Sequence, residues 1–340
     1  MNVDRRIRQT VQSLSSTGEF FRHYTVVVAL GVAILFFAVT RTHTFFTLSE
    51  LQTVLTGQAT LFALSLPLTV ALGSGELDLS VGGGLGMSTV LIAYLSSTVG
   101  LPGWTAILLS FIFAVAVGLF NGFCIVRIGV NGLITTLAMG TLLDGVSEAV
   151  SKSQTIGNLP SSIVSPMQAR WGGIGLPFWY ALGVGVIIWY VLHHTRSGRY
   201  LYFTGEGREA ARLAGIRVNR IRVVSLVVSS LGAWLAGLIL VGQSGAGQTG
   251  VGDPYLLPAY AAVFLGAATV KPGHFNPIGT FIAVLLLAVG TTGLQLFGLS
   301  NWVTSVFDGG ILIVAVGLAT VLGTAAGDRK SRAWRRRSIR

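Results

Sequence analysis

The sequence predicts an all-α, polytopic membrane protein of about ten transmembrane helices with glycine-broken segments and a possible internal repeat. Three observations predict it. The 340 residues are 52% hydrophobic and 10% charged, against roughly 25% charged in soluble domains, and mean hydropathy is +0.72. The 45 glycines lack a three-residue period, which excludes collagen and suits closely approaching membrane helices. The basic residues are clustered: Arg5, Arg6, Arg8 and Arg22, then seven arginines in 195–222, then seven Lys or Arg in 328–340 hold 18 of the 23. Such clustering is the positive-inside pattern, and it explains the net charge of +11 without any nucleic acid partner.

A bilayer is spanned by about 20 apolar residues. Such stretches lie near 23–40, 51–72, 79–99, 104–123, 131–150, 176–194, 223–243, 255–270, 275–297 and 301–323. The predicted organisation is a cytoplasmic N-terminal segment 1–22, a transmembrane domain 23–323 that includes a cytoplasmic loop 195–222, and a basic cytoplasmic tail 324–340. With both termini and that loop inside, six crossings precede the loop and four follow it. Arg127 then falls inside, while Arg41, Lys152 and Arg170 fall outside. The polar first twenty residues show no small-residue cleavage site, so the first apolar run reads as a retained helix. The polar stretch from Ser151 to Gly175, with Pro160 and Pro166, is the longest candidate for an ordered external segment.

Glycines interrupt 51–99 and 244–275, where broken helices are expected. The first interruption, Gly73 to Gly84, carries Glu76, Asp78 and Ser80. An acidic residue at the centre of a lipid-facing helix costs about 2.5–3.5 kcal/mol, so the segment must face protein or water. It reads either as a solvated loop or as the lining of a polar pathway, with freed carbonyls beside the carboxylates. The second, Gly242 to Pro254, stands in the other half of the chain, as an internally repeated transporter would have it. Asp144 and Glu148 share a helix face, and Lys152 is placed to pair with Glu148. Asn121 and Asn131 bracket the turn holding Arg127 and read first as turn residues.

Catalytic and metal chemistry are not expected. The lysines Lys152, Lys271 and Lys330 follow Ser151, Val270 and Arg329, so no Walker A loop exists. The five histidines have no HExxH spacing, no GxSxG or SxxK occurs, and Cys124 is the single cysteine. It reads as a buried small hydrophobe.

In the inside loop, Glu206 to Leu213 is short, charged and alanine-containing, and Gly215 supplies a helix stop. Ala210, Leu213 and Ala214 fall at helical spacing and would offer a small apolar face to a partner's groove; the alternative is an interfacial helix whose arginines meet anionic lipid.

These motifs together resemble the membrane permease subunits of ribose-type sugar ABC importers. Gly75-Glu76-Leu77-Asp78-Leu79-Ser80-Val81-Gly82 resembles that family's Gly-Gly-Ile-Asp-Leu-Ser-Val-Gly signature. Asn121-Gly122 with Ile134-Thr135-Thr136-Leu137-Ala138 resembles its next block, and Glu209 to Ile216 its coupling segment; Ala261 to Gly266 follows in order. The resemblance implies a bacterial inner-membrane permease domain working as a pair, with a second copy or a paralogue. It also implies a cytoplasmic ABC ATPase subunit that uses the ATP, an extracytoplasmic solute-binding protein, and no cofactor bound by this chain. On that reading Gly205, Glu209, Ala210, Ala211, Leu213 and Gly215 serve ATPase coupling. Glu76, Asp78, Ser80, Asn121 and Thr135 are candidates for the translocation pathway of a monosaccharide or similar small polar solute.

The chain departs from the family in having Tyr255-Leu256-Leu257-Pro258 where many members have Tyr-Glu-Leu. It also has Lys271 to Asn276 in place of the usual glycine-rich turn. A branched-chain amino-acid permease and an ion-coupled secondary carrier are the alternatives; the second would need no ATPase.

Overall fold

Hydropathy and capping together set the helices. The computed structural model describes residues 24–40, 47–298, 300 and 302–317. The expected N-terminal segment 1–22 and tail 324–340 lie outside the described residues. Helices α1 (Tyr24–Thr40) and α14 (Trp302–Gly317) flank the rest. Between them run α2 (Leu48–Gly57), α3 (Ala59–Gly73), α4 (Val81–Ala93), α5 (Gly103–Gly122) and α6 (Gly132–Ser151). Then come α7 (Ser161–Gln168), the two-residue strands β1 (Arg170–Trp171) and β2 (Ile174–Gly175), and α8 (Leu176–His194). The chain continues with α9 (Arg196–Glu206), α10 (Arg208–Leu213), α11 (Val218–Ser244), α12 (Asp253–Ala267) and α13 (Pro277–Leu296).

All ten expected apolar stretches are helical over most of their described residues; 301 and 318–323 of the last lie outside these. Among the described residues five helices are long and apolar enough to cross a membrane singly: α6, α8, α11, α13 and α5 with its π-helical continuation to Ile128. The pair α2–α3 makes a sixth, bent by 51° where Gln58 separates the two. The stretches at 79–99 and 255–270 give shorter helices, α4 and α12, as the glycine interruptions before them led one to expect.

Side chains fix the ends. Asn131 caps α6, its Oδ1 accepting from the Leu133 amide at 2.9 Å, and Asn276 caps α13 through the Gly279 amide at 2.6 Å. Lys152 ends α6 at φ 56°, which turns it out of the helix. The expected Glu148–Lys152 pair does not form, because that pair needed one more helical turn.

Every residue of α3 is buried, as expected of a helix apolar on all sides. Helix α11 packs against α3, α4 and α5, and small residues allow the approach. A Cβ on Gly118 of α5 would stand 2.6 Å from the Val227 Cα of α11. The two glycine breaks meet: a Cβ on Gly252 of the second would overlap the Gly82 carbonyl at the end of the first; residues 74–80 also meet the arginine-rich loop, and Gly247 bridges to Ile156. The 151–175 stretch is ordered, as expected. Its helix α7 buries Ile163 and Met167 and packs on α5 and α11.

This packing has a direct test. Gly118→Ala pushes a methyl into the α11 backbone and should cost about 1–3 kcal/mol, read as a lower thermal midpoint of the detergent-solubilised protein. Gly145→Ala on α6 meets nothing within 4 Å and should match or exceed the parent. Equal melting of Gly118→Ala and parent would contradict the α5–α11 approach.

Candidate functional site

The first glycine break folds back on itself. After α3 ends at Gly73, Gly75 takes a left-handed φ of 80°, a conformation glycine adopts without strain. The Glu76 amide then returns to the Ala71 carbonyl at 3.0 Å. The turn points Glu76 into protein, where it is 2% exposed. Such a carboxylate needs counter-charge, and two arginines supply it. Arg208 Nη2 donates to Glu76 Oε1 at 2.7 Å and also to the Gly75 carbonyl at 3.0 Å. Arg222 Nε donates to the same carboxylate oxygen. Arg208 opens α10, and Arg222 lies buried in the second turn of α11. Glu76 stands where the resembling signature has its second glycine.

Other contacts hold the same end together. A Cβ on Gly205 would overlap the Gly73 carbonyl, which accounts for glycine at that position. Ser74 and Ser225 hydroxyls bond at 2.8 Å. Tyr202 donates its hydroxyl to the Phe275 carbonyl at 2.7 Å, and His274 Nε2 lies 3.1 Å from Glu206 Oε1. Burial pushes the Tyr202 hydroxyl up to about 12, so it stays a donor across the neutral range.

Asp78, two residues on, has a different environment. It is fully buried, and no cation pairs with it among the described residues. Its Oδ1 accepts from the Ser80 amide at 3.1 Å and the Ser80 hydroxyl at 2.5 Å. Asn121 Nδ2 of α5 donates to Ser80 Oγ at 3.0 Å, so Asp78, Ser80 and Asn121 form one chain of hydrogen bonds. Ser229 of α11 and Tyr260 of α12 face Asp78. Asp78 Oδ2, Asn121 Oδ1, Ser229 Oγ and the Tyr260 hydroxyl are buried without hydrogen-bond partners among the described residues.

Thr135 stands apart, its hydroxyl bonding to the Asn131 carbonyl at 2.9 Å within its own helix. The neighbouring Thr136 reaches the break instead, accepting from the Leu79 amide at 3.1 Å and donating to the Leu77 carbonyl at 3.2 Å.

The residues expected to serve coupling form α10 and its flanks. Gly215 ends the helix at φ 78°, and the Ile216 amide closes on Ala211 O at 3.0 Å. Ala211 is buried, whereas Ala210 and Ala214 are exposed and Leu213 is 90% exposed. Glu209 projects beside them and pairs with Arg212 at 2.8 Å. Sequence reasoning missed Arg208, Arg222, Thr136, Ser229 and Tyr260. A charge inside an apolar helix was the signal available for Arg222, which had been counted only as a marker of sidedness.

No group of three or more His, Cys, Asp or Glu could hold a metal ion among the described residues. What the arrangement offers is a linkage: the exposed α10, through Arg208 and Glu76, bears on the break that carries Asp78.

Known proteins are similar to this chain over most of its length. A family model described as branched-chain amino acid transport system / permease component matches residues 51–316. An autoinducer 2 import system permease protein of Klebsiella pneumoniae is 31% identical over 260 residues, 74% of this chain and 78% of that protein. Counterparts in Photorhabdus luminescens and Photorhabdus laumondii, with the same coverage, are 29% and 31% identical. A solved inward-facing ABC transporter chain aligns at TM-score 0.45 and 15% identity, over 91% of this chain and 98% of that one. The chain is a multi-pass membrane protein, and it belongs to the family of transport-system permease components that this model describes.

Proposed function

We propose that the chain forms, with a second copy or a paralogue, the path by which a monosaccharide or similar small polar solute enters a bacterial cell. As a permease component it is a transport subunit, with ATP hydrolysis in a separate subunit. In the proposed assembly a cytoplasmic ABC ATPase docks on α10, and an extracytoplasmic binding protein delivers solute to the opposite end. The chain itself binds no cofactor. Domain 23–323 is the embedded part, with both termini and the loop 195–222 in the cytoplasm.

One observation carries the reading: the exposed α10 is joined by Arg208 to the buried Glu76. Displacement of α10 by a docked ATPase therefore reaches the α3–α4 break directly. On this reading Gly205, Glu209, Ala210, Ala211, Leu213 and Gly215 make up the docking segment. Glu76 transmits the movement, while Asp78, Ser80 and Asn121 support the pathway through their shared hydrogen bonds. Thr135, on α6, stays outside that network.

Autoinducer 2, the cargo named for the relatives, is the first compound to test. A branched-chain amino acid is the second reading, favoured by the description of the family model. Stimulation of ATP hydrolysis in the reconstituted complex, with its binding protein, across sugars, autoinducer 2 and amino acids distinguishes them.

The linkage gives three expected outcomes. Glu76→Gln strips a buried pair of its acid and should cost about 3–5 kcal/mol, seen as poor recovery of folded protein. The side chain of Arg208 is 42% exposed, so Arg208→Gln should cost at most ~1 kcal/mol yet lower solute moved per ATP hydrolysed. Full coupling in Arg208→Gln would remove Glu76 from the mechanism.

Glu209→Ala, at an exposed site, should leave the thermal midpoint within about 0.5 kcal/mol of the parent and reduce transport coupled to ATP. Normal coupling in that variant would show that docking occurs elsewhere. Asp78→Ala should assemble and insert but import slowly; unchanged uptake would take Asp78 out of the pathway.

A further inference from the structure

A groove of about 680 Å³ lies between α8, α9 and α11, floored in part by Val70 of α3. Its walls are apolar, with Ile187 and Val191 of α8 facing Val224 and Val228 of α11. One end differs: Arg217 and Arg220, at the start of α11, line it there. No acidic residue lines the groove, and neither guanidinium has an ion-pair partner among the described residues. From Arg217 to Val228 is eleven residues, or about 16 Å of helix at 1.5 Å per residue. That is about half of a ~30 Å hydrocarbon core, one leaflet deep.

We propose that this groove binds one anionic phospholipid of the inner leaflet, its phosphate between Arg217 and Arg220 and an acyl chain along the apolar wall. The chemistry selects this occupant on both counts. A soluble anion would meet the arginines but leave the apolar wall unused. A soluble subunit docking at α10 could not follow a groove that runs one leaflet into the membrane. A neutral lipid would fill the wall but leave two guanidiniums without counter-charge at the membrane surface, where each basic side chain contributes measurably to anionic lipid binding. Ser225 and Gly215 border the groove, but Glu76 and its two arginines do not line it, and the site does not depend on what the protein transports.

The test is a titration of the full chain in nanodiscs and in detergent with phosphatidylglycerol or phosphatidylcholine, bound lipid being counted by native mass spectrometry. One phosphatidylglycerol per chain should bind in preference to phosphatidylcholine. The double variant Arg217→Gln/Arg220→Gln should bind it about 30-fold more weakly, roughly fivefold for each arginine. Both side chains are exposed, so the variant should fold. Val224→Trp, which fills the groove from an exposed position, should exclude the lipid with both arginines in place.

Equal phosphatidylglycerol binding by parent and double variant would overturn the proposal, as would undiminished binding to Val224→Trp. Displacement of the lipid by glycerol 3-phosphate would reassign the site to a free anion. Displacement by added ATPase subunit, or loss of the site on pairing of two permease copies, would make the groove a protein interface.

Discussion

A carboxylate with almost no exposure must have its charge met, and at Glu76 two arginines from separate elements meet it. Arg222 holds the carboxylate to α11, the helix against which α3, α4 and α5 all pack. Arg208 holds it to α10, which otherwise projects from the bundle with Leu213 almost bare. The positions of the glycine break, the loop helices and the start of α11 are therefore set together at this end. The surrounding contacts follow the same demand: Gly205 must be glycine for α9 to lie against the Gly73 carbonyl. Tyr202 and His274 then extend the joint to the connection before α13.

The two acids of the break are separated by one residue and share little else. Leu77 between them has its carbonyl held by Thr136, and the turn leaves Glu76 toward the arginines and Asp78 toward α5, α11 and α12. Asp78 receives only neutral partners, Ser80 directly and Asn121 through it. A buried polar network with unpartnered atoms at its edge is costly. Four such atoms gather here, and that cost sets the network apart from the satisfied clasp beside it.

The ten apolar stretches and both breaks were legible in the sequence, because hydropathy and glycine act locally. So was the stop at Gly215, since a left-handed φ there favours glycine. The partners of Glu76 were not legible: Arg208 lies 132 residues away and Arg222 146, nothing local distinguishes Arg208 from the other arginines of the loop, and the place of Arg222 inside an apolar helix marks it as buried without naming its partner. That Thr136 and not its neighbour Thr135 reaches the break was illegible for a related reason. Neighbours on a helix differ by about 100°, so one residue decides whether a hydroxyl meets the break or its own helix. The Glu148–Lys152 pairing assumed that α6 ran on, and the positive φ at Lys152 is a property of the turn that follows.

On the proposed function, the inequality of the two arginines is what makes the clasp suited to transmission. The inner half, Glu76 with Arg222, is almost wholly buried, and separating it would leave uncompensated charge at a cost of about 3–5 kcal/mol. The outer half is half exposed at Arg208, where water replaces a lost bond and the net contribution is about 0–1 kcal/mol. A load applied to α10 thus reaches Glu76 through the outer bond, while the stronger inner bond keeps the carboxylate tied to α11. The break at 74–80 is thus tied both to the exposed α10 and to the packed α11, the contiguous linkage by which a change at the loop bears on the bundle.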